Sequence, residues 1–226
     1  MPNYSQNPWN GLATRLKNNV VKLELIIKDK LLEQIGDVRE KSVLEIGCGT
    51  GYWGRCIRSG AYTGVDIDPG NIQAAQESDP LHTYEVMDAT IPRTIGEFDI
   101  VLAAYLLVNI STPWGISKAI QSAKRNLKPQ GRLMVLDLGP EAIYSHSEYV
   151  SRTLNGDAKT GSSFLTHLLL CDGSWVTVTN YHWPDLGSRI DGEAFEIESN
   201  RTMHRSPSKR GGLVDEDILI VAKPRY

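Results

Sequence analysis

Val43-Leu44-Glu45-Ile46-Gly47-Cys48-Gly49-Thr50-Gly51 decides the fold. The segment Ser42–Ile46 is short, apolar and β-prone, so it reads as a buried strand. Three glycines at alternate positions follow it, and they let the chain turn tightly and bring bare backbone up to a ligand. Residues Tyr52–Arg58 read as a helix stopped by Gly60, and a helix start offers amide groups without intrahelical partners. In open α/β sheets ligands lie beyond the carboxyl ends of the strands, where strand order reverses. The glycine turn belongs at such a place.

Working outward, strands and helices alternate. Toward the N-terminus, Leu12, Leu16, Val20, Leu23, Ile27, Leu31 and Ile35 recur at three- and four-residue steps and predict a helix between Asn10 and Gly36. Toward the C-terminus, Tyr62–Ile67 reads as a strand and Pro69–Glu77 as a helix opened by proline. Thr83–Met87 and Phe98–Ala104 read as strands, Ser117–Leu127 as a helix, and Arg132–Leu138 as a further buried strand after a Lys128–Gly131 turn. This alternation predicts an open, mostly parallel α/β sheet with helices on both faces. Beyond Pro140 the pattern becomes antiparallel. Asp172-Gly173 joins Leu165–Cys171 to Ser174–Tyr181 in a hairpin, and Phe195–Met203 and Asp217–Lys223 are two more strands. Residues 184–192 leave room for a loop or one turn. No linker divides the chain, so residues 1–226 are expected to form one domain: a lid and helix over 1–37, a cofactor-binding half over 40–138 and a β-rich half over 139–226.

A glycine-rich turn alone also suits a dinucleotide fold, which wants glycine at the sixth position of the motif. Tyr52 stands there instead. Glu45, two residues before the first glycine, would repel a pyrophosphate but favour a cationic sulfonium and ammonium. Asp66, in Gly64-Val65-Asp66-Ile67-Asp68, can accept from both ribose hydroxyls, with Ile67 against an adenine face. Asp88, in Val86-Met87-Asp88-Ala89, can accept from an adenine amino group while Met87 packs near the ring. Each acid taken singly could be a turn or cap residue; three in order at successive strand ends point to a nucleoside site.

These segments resemble the class I S-adenosylmethionine-dependent methyltransferases: LEIGCGTG as the first motif, then GVDID, MDA, FDIVLAAYLL and LKPQGRLMVLDL, over about residues 40–138. Within that superfamily the chain is similar to the small-molecule branch of ubiquinone/menaquinone-type and toxoflavin-synthase-like enzymes. The resemblance implies a Rossmann-like α/β fold, a mostly parallel seven-stranded sheet flanked by helices with an added antiparallel β-hairpin in the C-terminal third, with S-adenosyl-L-methionine as cofactor and S-adenosyl-L-homocysteine as product. It places Gly47, Cys48, Gly49, Gly51, Ala89, Ala104 and Tyr105 with the three acids, Ile67 and Met87 around the cofactor. It also implies an N-terminal aromatic lid carrying Tyr4 and Trp9. The acceptor side would hold Tyr105, Tyr144, His146, Tyr181, His182 and Trp183, with His182, then His146, as candidate bases; His167 and His204 are weaker candidates. The chain departs from the branch after Trp183, where a longer helix is usual. A protein of this fold that binds the cofactor without transferring methyl is the alternative.

Other chemistries are disfavoured. After the fourth strand Ala103-Ala104-Tyr105-Leu106 replaces the Asn/Asp-Pro-Pro-aromatic motif of enzymes acting on adenine or glutamine amines. Ala104 offers no ligand and Asp137 reads as alone, whereas a hard cation needs several oxygens, so no metal is expected. With 24 Lys and Arg against 27 Asp and Glu, no basic face announces nucleic acid; Arg201–Arg210 reads as a solvated loop. No apolar leader or membrane span is visible, and Cys48, Cys56 and Cys171 have no paired spacing. The expectation is a reduced, cytoplasmic protein, monomer or homodimer, acting on a small-molecule acceptor.

Overall fold

The computed structural model describes residues 22–140, 142, 150–154, 157, 159–204 and 216–225. Tyr4, Trp9, Tyr144 and His146 lie outside them, as does the His204 side chain.

Strands β1 (Ser42–Ile46), β2 (Ala61–Asp66), β3 (Thr83–Val86), β4 (Phe98–Ala104), β5 (Leu127–Leu138), β9 (Phe195–His204) and β10 (Glu216–Pro224) form one sheet in the order β3-β2-β1-β4-β5-β10-β9. The pairs from β3 through β5 are parallel; β10 runs antiparallel between β5 and β9. Strand order therefore reverses between β1 and β4, which places the glycine turn at the switch point.

The central strands are buried on both faces, and their alternating side chains feed two cores. One face packs Leu44, Val101, Leu133 and Ile220 against α4 (Pro113–Arg125), through Ile116, Ala119, Ile120 and Ala123. The opposite face packs Val43, Ile100, Met134 and Leu219 against Ile27, Leu31 and Ile35 of α1 (Lys22–Ile35), Trp53 of α2 (Tyr52–Cys56) and Ile72 of α3 (Pro69–Ser78). Covering both faces removes from water the continuous apolar runs that marked these strands in the sequence.

Four expectations change. Helix α4 starts at Pro113, four residues early, because Thr112 caps it by accepting from Gly115 N and proline suits the first turn. The Lys128–Gly131 turn lies inside β5 as a bulge: pairing steps from Phe98↔Leu127 to Ile100↔Arg132, so β5 spends five residues where β4 spends two. The loop at residues 184–192 contains a seven-residue helix, α5 (Leu186–Gly192), anchored by buried Leu186 and Ile190. Finally, the hairpin of β7 (Ser163–Leu169) and β8 (Trp175–Tyr181) gains a third strand, β6 (Val150–Leu154), forming a separate antiparallel sheet.

Candidate functional site

The candidate cofactor side grows directly from β1. Gly47, Gly49 and Gly51 all have positive φ, at 78°, 52° and 76°, a region costly for side-chain-bearing residues. Space also requires glycine at position 51, where a Cβ would sit 2.8 Å from the Tyr84 hydroxyl; around Gly49 nothing lies within 4 Å. Tyr84 itself is fixed by donating to Asp79 Oδ2 at 2.8 Å, an oxygen that also engages His82 Nδ1 at 2.7 Å.

Asp66 closes β2 and is tied into this turn. Its Oδ2 accepts from Gly49 N at 2.9 Å, while Oδ1 accepts from Asp68 N at 2.9 Å and Asn71 Nδ2 at 3.2 Å. Burial pushes its pKa up, and these donors oppose the shift. Two oxygens offer about four acceptor positions, so the carboxylate retains capacity for a ligand hydroxyl. Beyond β3, Asp88 Oδ1 accepts from Thr90 N and Oγ1 at 2.8 and 2.7 Å, which leaves Oδ2 without a protein partner among the described residues. Met87 and Ala89 are buried beside it, and Ile67 is half-buried.

Two motif residues turn inward instead. Glu45 is 1% exposed and its Oε2 accepts from the Tyr62 hydroxyl, so its carboxylate sits in the core beneath the turn. Cys48 is buried as well, its thiol pKa pushed well up by burial.

Beyond β4, Ala104 is buried and Tyr105 takes φ 52°, a conformation that a bulky residue keeps only when its surroundings hold it. Tyr105 N donates to Leu136 O at 2.7 Å, and its carbonyl accepts from Asn109 Nδ2 at 2.6 Å. Asn109 Oδ1 accepts in turn from Asn180 Nδ2 of β8 at 2.8 Å. The Tyr105 side chain packs both with the core that contains Cys48 and Ala104 and with Val108 and Phe164. It therefore stands between the glycine turn and a second recess.

That recess lies beyond the end of β5, is narrow, with about 10 Å³ open to the centre of a water molecule, and is lined by Asp137, Phe164, Tyr181, His182, Trp183 and neighbouring residues. His182 is only 7% exposed. Its backbone is pinned at both groups, N to Ser162 O at 3.0 Å and O from Gly161 N at 2.7 Å. Trp183 donates from Nε1 to Ile110 O at 3.0 Å, with the Arg189 guanidinium 5.0 Å from its ring centre. Sequence reasoning thus located Tyr181, His182 and Trp183 in the recess but missed Phe164, and it read Asp137 as solitary. Asp217 on β10 is close enough to raise the Asp137 pKa, adding to burial, which is the main cause of a rise to about 7. The signal for Asp217 was present in the strand pattern, where an acid opens an otherwise apolar run. Among the described residues no three His, Cys, Asp or Glu side chains cluster as metal ligands, and no helix is long and apolar enough to cross a membrane.

Comparison with known proteins agrees with this geometry. Residues 43–131 match the family described as "Methyltransferase domain". A putative protein N5-glutamine methyltransferase of Methanocaldococcus jannaschii is 36% identical over 78 residues, covering 32% of this chain and 40% of that protein. A demethylmenaquinone methyltransferase of Chlamydia muridarum is 31% identical over 114 residues, covering 47% and 48%. The chain spans about half or less of the length of such curated relatives. An S-adenosylmethionine-dependent methyltransferase structure from Clostridium acetobutylicum superposes with a TM-score of 0.65 at 14% identity, covering 91% of this chain and 92% of that one. Residues 43–131 thus resemble a methyltransferase domain, and the sheet that carries them has the Rossmann-like methyltransferase fold.

Proposed function

We propose that the protein transfers the methyl group of S-adenosylmethionine to a small-molecule acceptor. The observation that carries this reading is the alignment of three strand ends: a positive-φ glycine turn, Asp66 hydrogen-bonded to that turn with acceptor capacity to spare, and Asp88 with Oδ2 open. Glycine backbone can approach the methionine part, Asp66 can take ribose hydroxyls, and Asp88 with Met87 can hold the adenine. Glu45 contributes a buried negative charge beneath the turn rather than a direct contact.

The bound donor supplies a sulfonium methyl: the sulfur–carbon bond breaks with its electron pair kept by sulfur, as a bond forms to the acceptor atom. The chain must align the two and exclude water. Tyr105, braced between turn and recess, suits the task of separating donor from acceptor. His182 can remove the acceptor's proton when the nucleophile is a hydroxyl. The narrow, partly aromatic lining of the recess favours a small molecule over a polymer. The reading assigns no metal.

Calorimetry with the methyl donor and its demethylated product should give micromolar-range binding, and incubation with methyl-labelled donor and a metabolite panel should then label one acceptor class. Tight NAD binding without donor binding would overturn the reading. Donor binding with no label transferred to any acceptor would leave a cofactor-binding protein instead, and turnover lost in EDTA but restored by Mg²⁺ would overturn the metal-free assignment.

A further inference from the structure

We infer that Asn109 and Asn180 are positioning residues for the donor site: through two successive hydrogen bonds they hold the Tyr105–Leu106 peptide against the glycine turn, and so tie that turn to the three-stranded sheet on the acceptor side. The inference rests on reading the turn as the seat of the methyl donor.

Tyr105 is the residue that needs holding. Its φ of 52° is unfavourable for a bulky side chain, and such a conformation persists only where several contacts enforce it. Its amide is fixed on β5, donating to Leu136 O at 2.7 Å. Its carbonyl accepts from Asn109 Nδ2 at 2.6 Å. The next residue carries the constraint to the turn. A Cβ on Gly47 would lie 2.8 Å from Leu106 Cδ1 and 3.1 Å from Leu106 Cβ, so Leu106 packs close against the glycine backbone. A shift of the Tyr105–Leu106 peptide therefore moves the wall beside Gly47.

Asn109 takes its own orientation from β8. Its Oδ1 accepts from Asn180 Nδ2 at 2.8 Å, across 71 positions of sequence. Asn180 is 4% exposed, and an amide removed from water is costly to leave unmatched. Phe164, its register partner on β7, is buried with Val108, and Tyr105 packs against them. One face of the small sheet thus grips a single turn by a polar and an apolar contact. Trp183, just beyond β8, adds a third by donating from Nε1 to Ile110 O at 3.0 Å. An amide suits position 109 because it accepts on one atom and donates on the other. Aspartate, of nearly the same shape, keeps the bond from Asn180 and loses the bond to Tyr105.

The test uses the full chain and a probe that the sequence itself provides. Tyrosine is followed by leucine once, at Tyr105–Leu106, so isotope labelling of tyrosine carbonyl carbon and leucine nitrogen gives one carbonyl–amide NMR signal. Asn109→Asp should move that signal. Asn180→Asp should move it as well, although residue 180 does not bond to Tyr105, because an ionised carboxylate cannot donate to Asn109 Oδ1 and draws the Asn109 amide toward itself. Both variants should bind S-adenosylhomocysteine about tenfold more weakly in calorimetry, as the left-handed residue relaxes, with circular dichroism confirming the fold. Thr179→Val, on the opposite face of β8, should leave signal and affinity unchanged. A signal that stays in place in Asn109→Asp, or moves there but not in Asn180→Asp, overturns the inference. So does a moved signal with unchanged affinity, or an equal shift in Thr179→Val, which would make any disturbance of β8 sufficient. Should Asn180→Asp fail to fold, Asn180→Ala, which removes the donor without adding charge, decides in its place. A wild type that binds no S-adenosylhomocysteine overturns the methyltransferase reading beneath, while the NMR signal still decides whether the two asparagines hold Tyr105.

Discussion

The two halves of the proposed site use buried acids in opposite ways. Asp66 sits among three donors, from Gly49, Asp68 and Asn71, all within 17 positions of it in sequence. These bonds offset much of the cost of burying it. Asp137 has backbone donors too, but burial outweighs them and nearby Asp217 adds to it, so its pKa rises to about 7. The first acid is held by a network that also shapes the turn, which suits the recognition role proposed for it. The second is kept at a cost to stability, in a recess assembled from residues far apart in the chain, a pattern more typical of groups that exchange or receive charge.

The largest expected effect tests the acceptor half. His182→Ala should lower turnover on the acceptor identified by methyl labelling by about 10²–10⁴ at neutral pH, with donor affinity nearly unchanged. Full turnover in that variant would leave alignment alone as the source of rate. On the cofactor half, Asp66→Ala removes two ligand contacts and the anchor of Gly49; a hydrogen bond to a charged group is worth about 1.5–3 kcal/mol. Calorimetry should therefore show donor affinity down at least about tenfold, with circular dichroism confirming the fold, and unchanged affinity would remove Asp66 from the site.

A smaller effect separates the two acids by pH. Because folding raises the Asp137 pKa from 3.8 to about 7, the folded chain holds a proton there that the unfolded chain has lost. Its contribution to stability is fully present below the unfolded value and disappears as pH rises toward 7. The slope is at most about 1.4 kcal/mol per pH unit. Urea unfolding of Asp137→Asn should lack that slope, and a variant that tracks the wild type across about pH 5–7 would show that the carboxyl titrates normally. The smallest effect lies within the glycine turn. Gly49→Ala should cost about 1–2 kcal/mol for its left-handed backbone alone. Gly51→Ala should cost more, because its Cβ would meet the Tyr84 hydroxyl; equal losses in urea unfolding would mean that Tyr84 moves aside freely.

The glycine turn and the strands that carry it were legible because each of these parts is local. A strand, a glycine turn and an acid at the next strand end occupy consecutive segments, and the continuous apolar run of Phe98–Ala104 already signals burial on both faces. Boundaries were less legible where capping or packing overrode local pattern, as at Thr112-Pro113 and Leu186–Gly192. Side-chain direction was hidden as well: nothing local says that Glu45 turns to Tyr62 in the core, since that depends on which face of β1 the neighbouring strand covers.

What the sequence determined by itself is the parallel sheet, its switch-point turn and the acids at its edge, because period-two burial and glycine conformational freedom act over a few residues. The recess was decided only by tertiary structure. Val108, Asp137, Phe164 and His182 meet there through β-sheet pairing and the Asn109–Asn180 bond. The Asp137 pKa depends on burial and on Asp217, whose strand β10 lies beside β5 although Asp217, the register partner of Leu138, stands 79 positions further along the chain. Electrostatics in a low-dielectric interior follow distance in space, not along the chain.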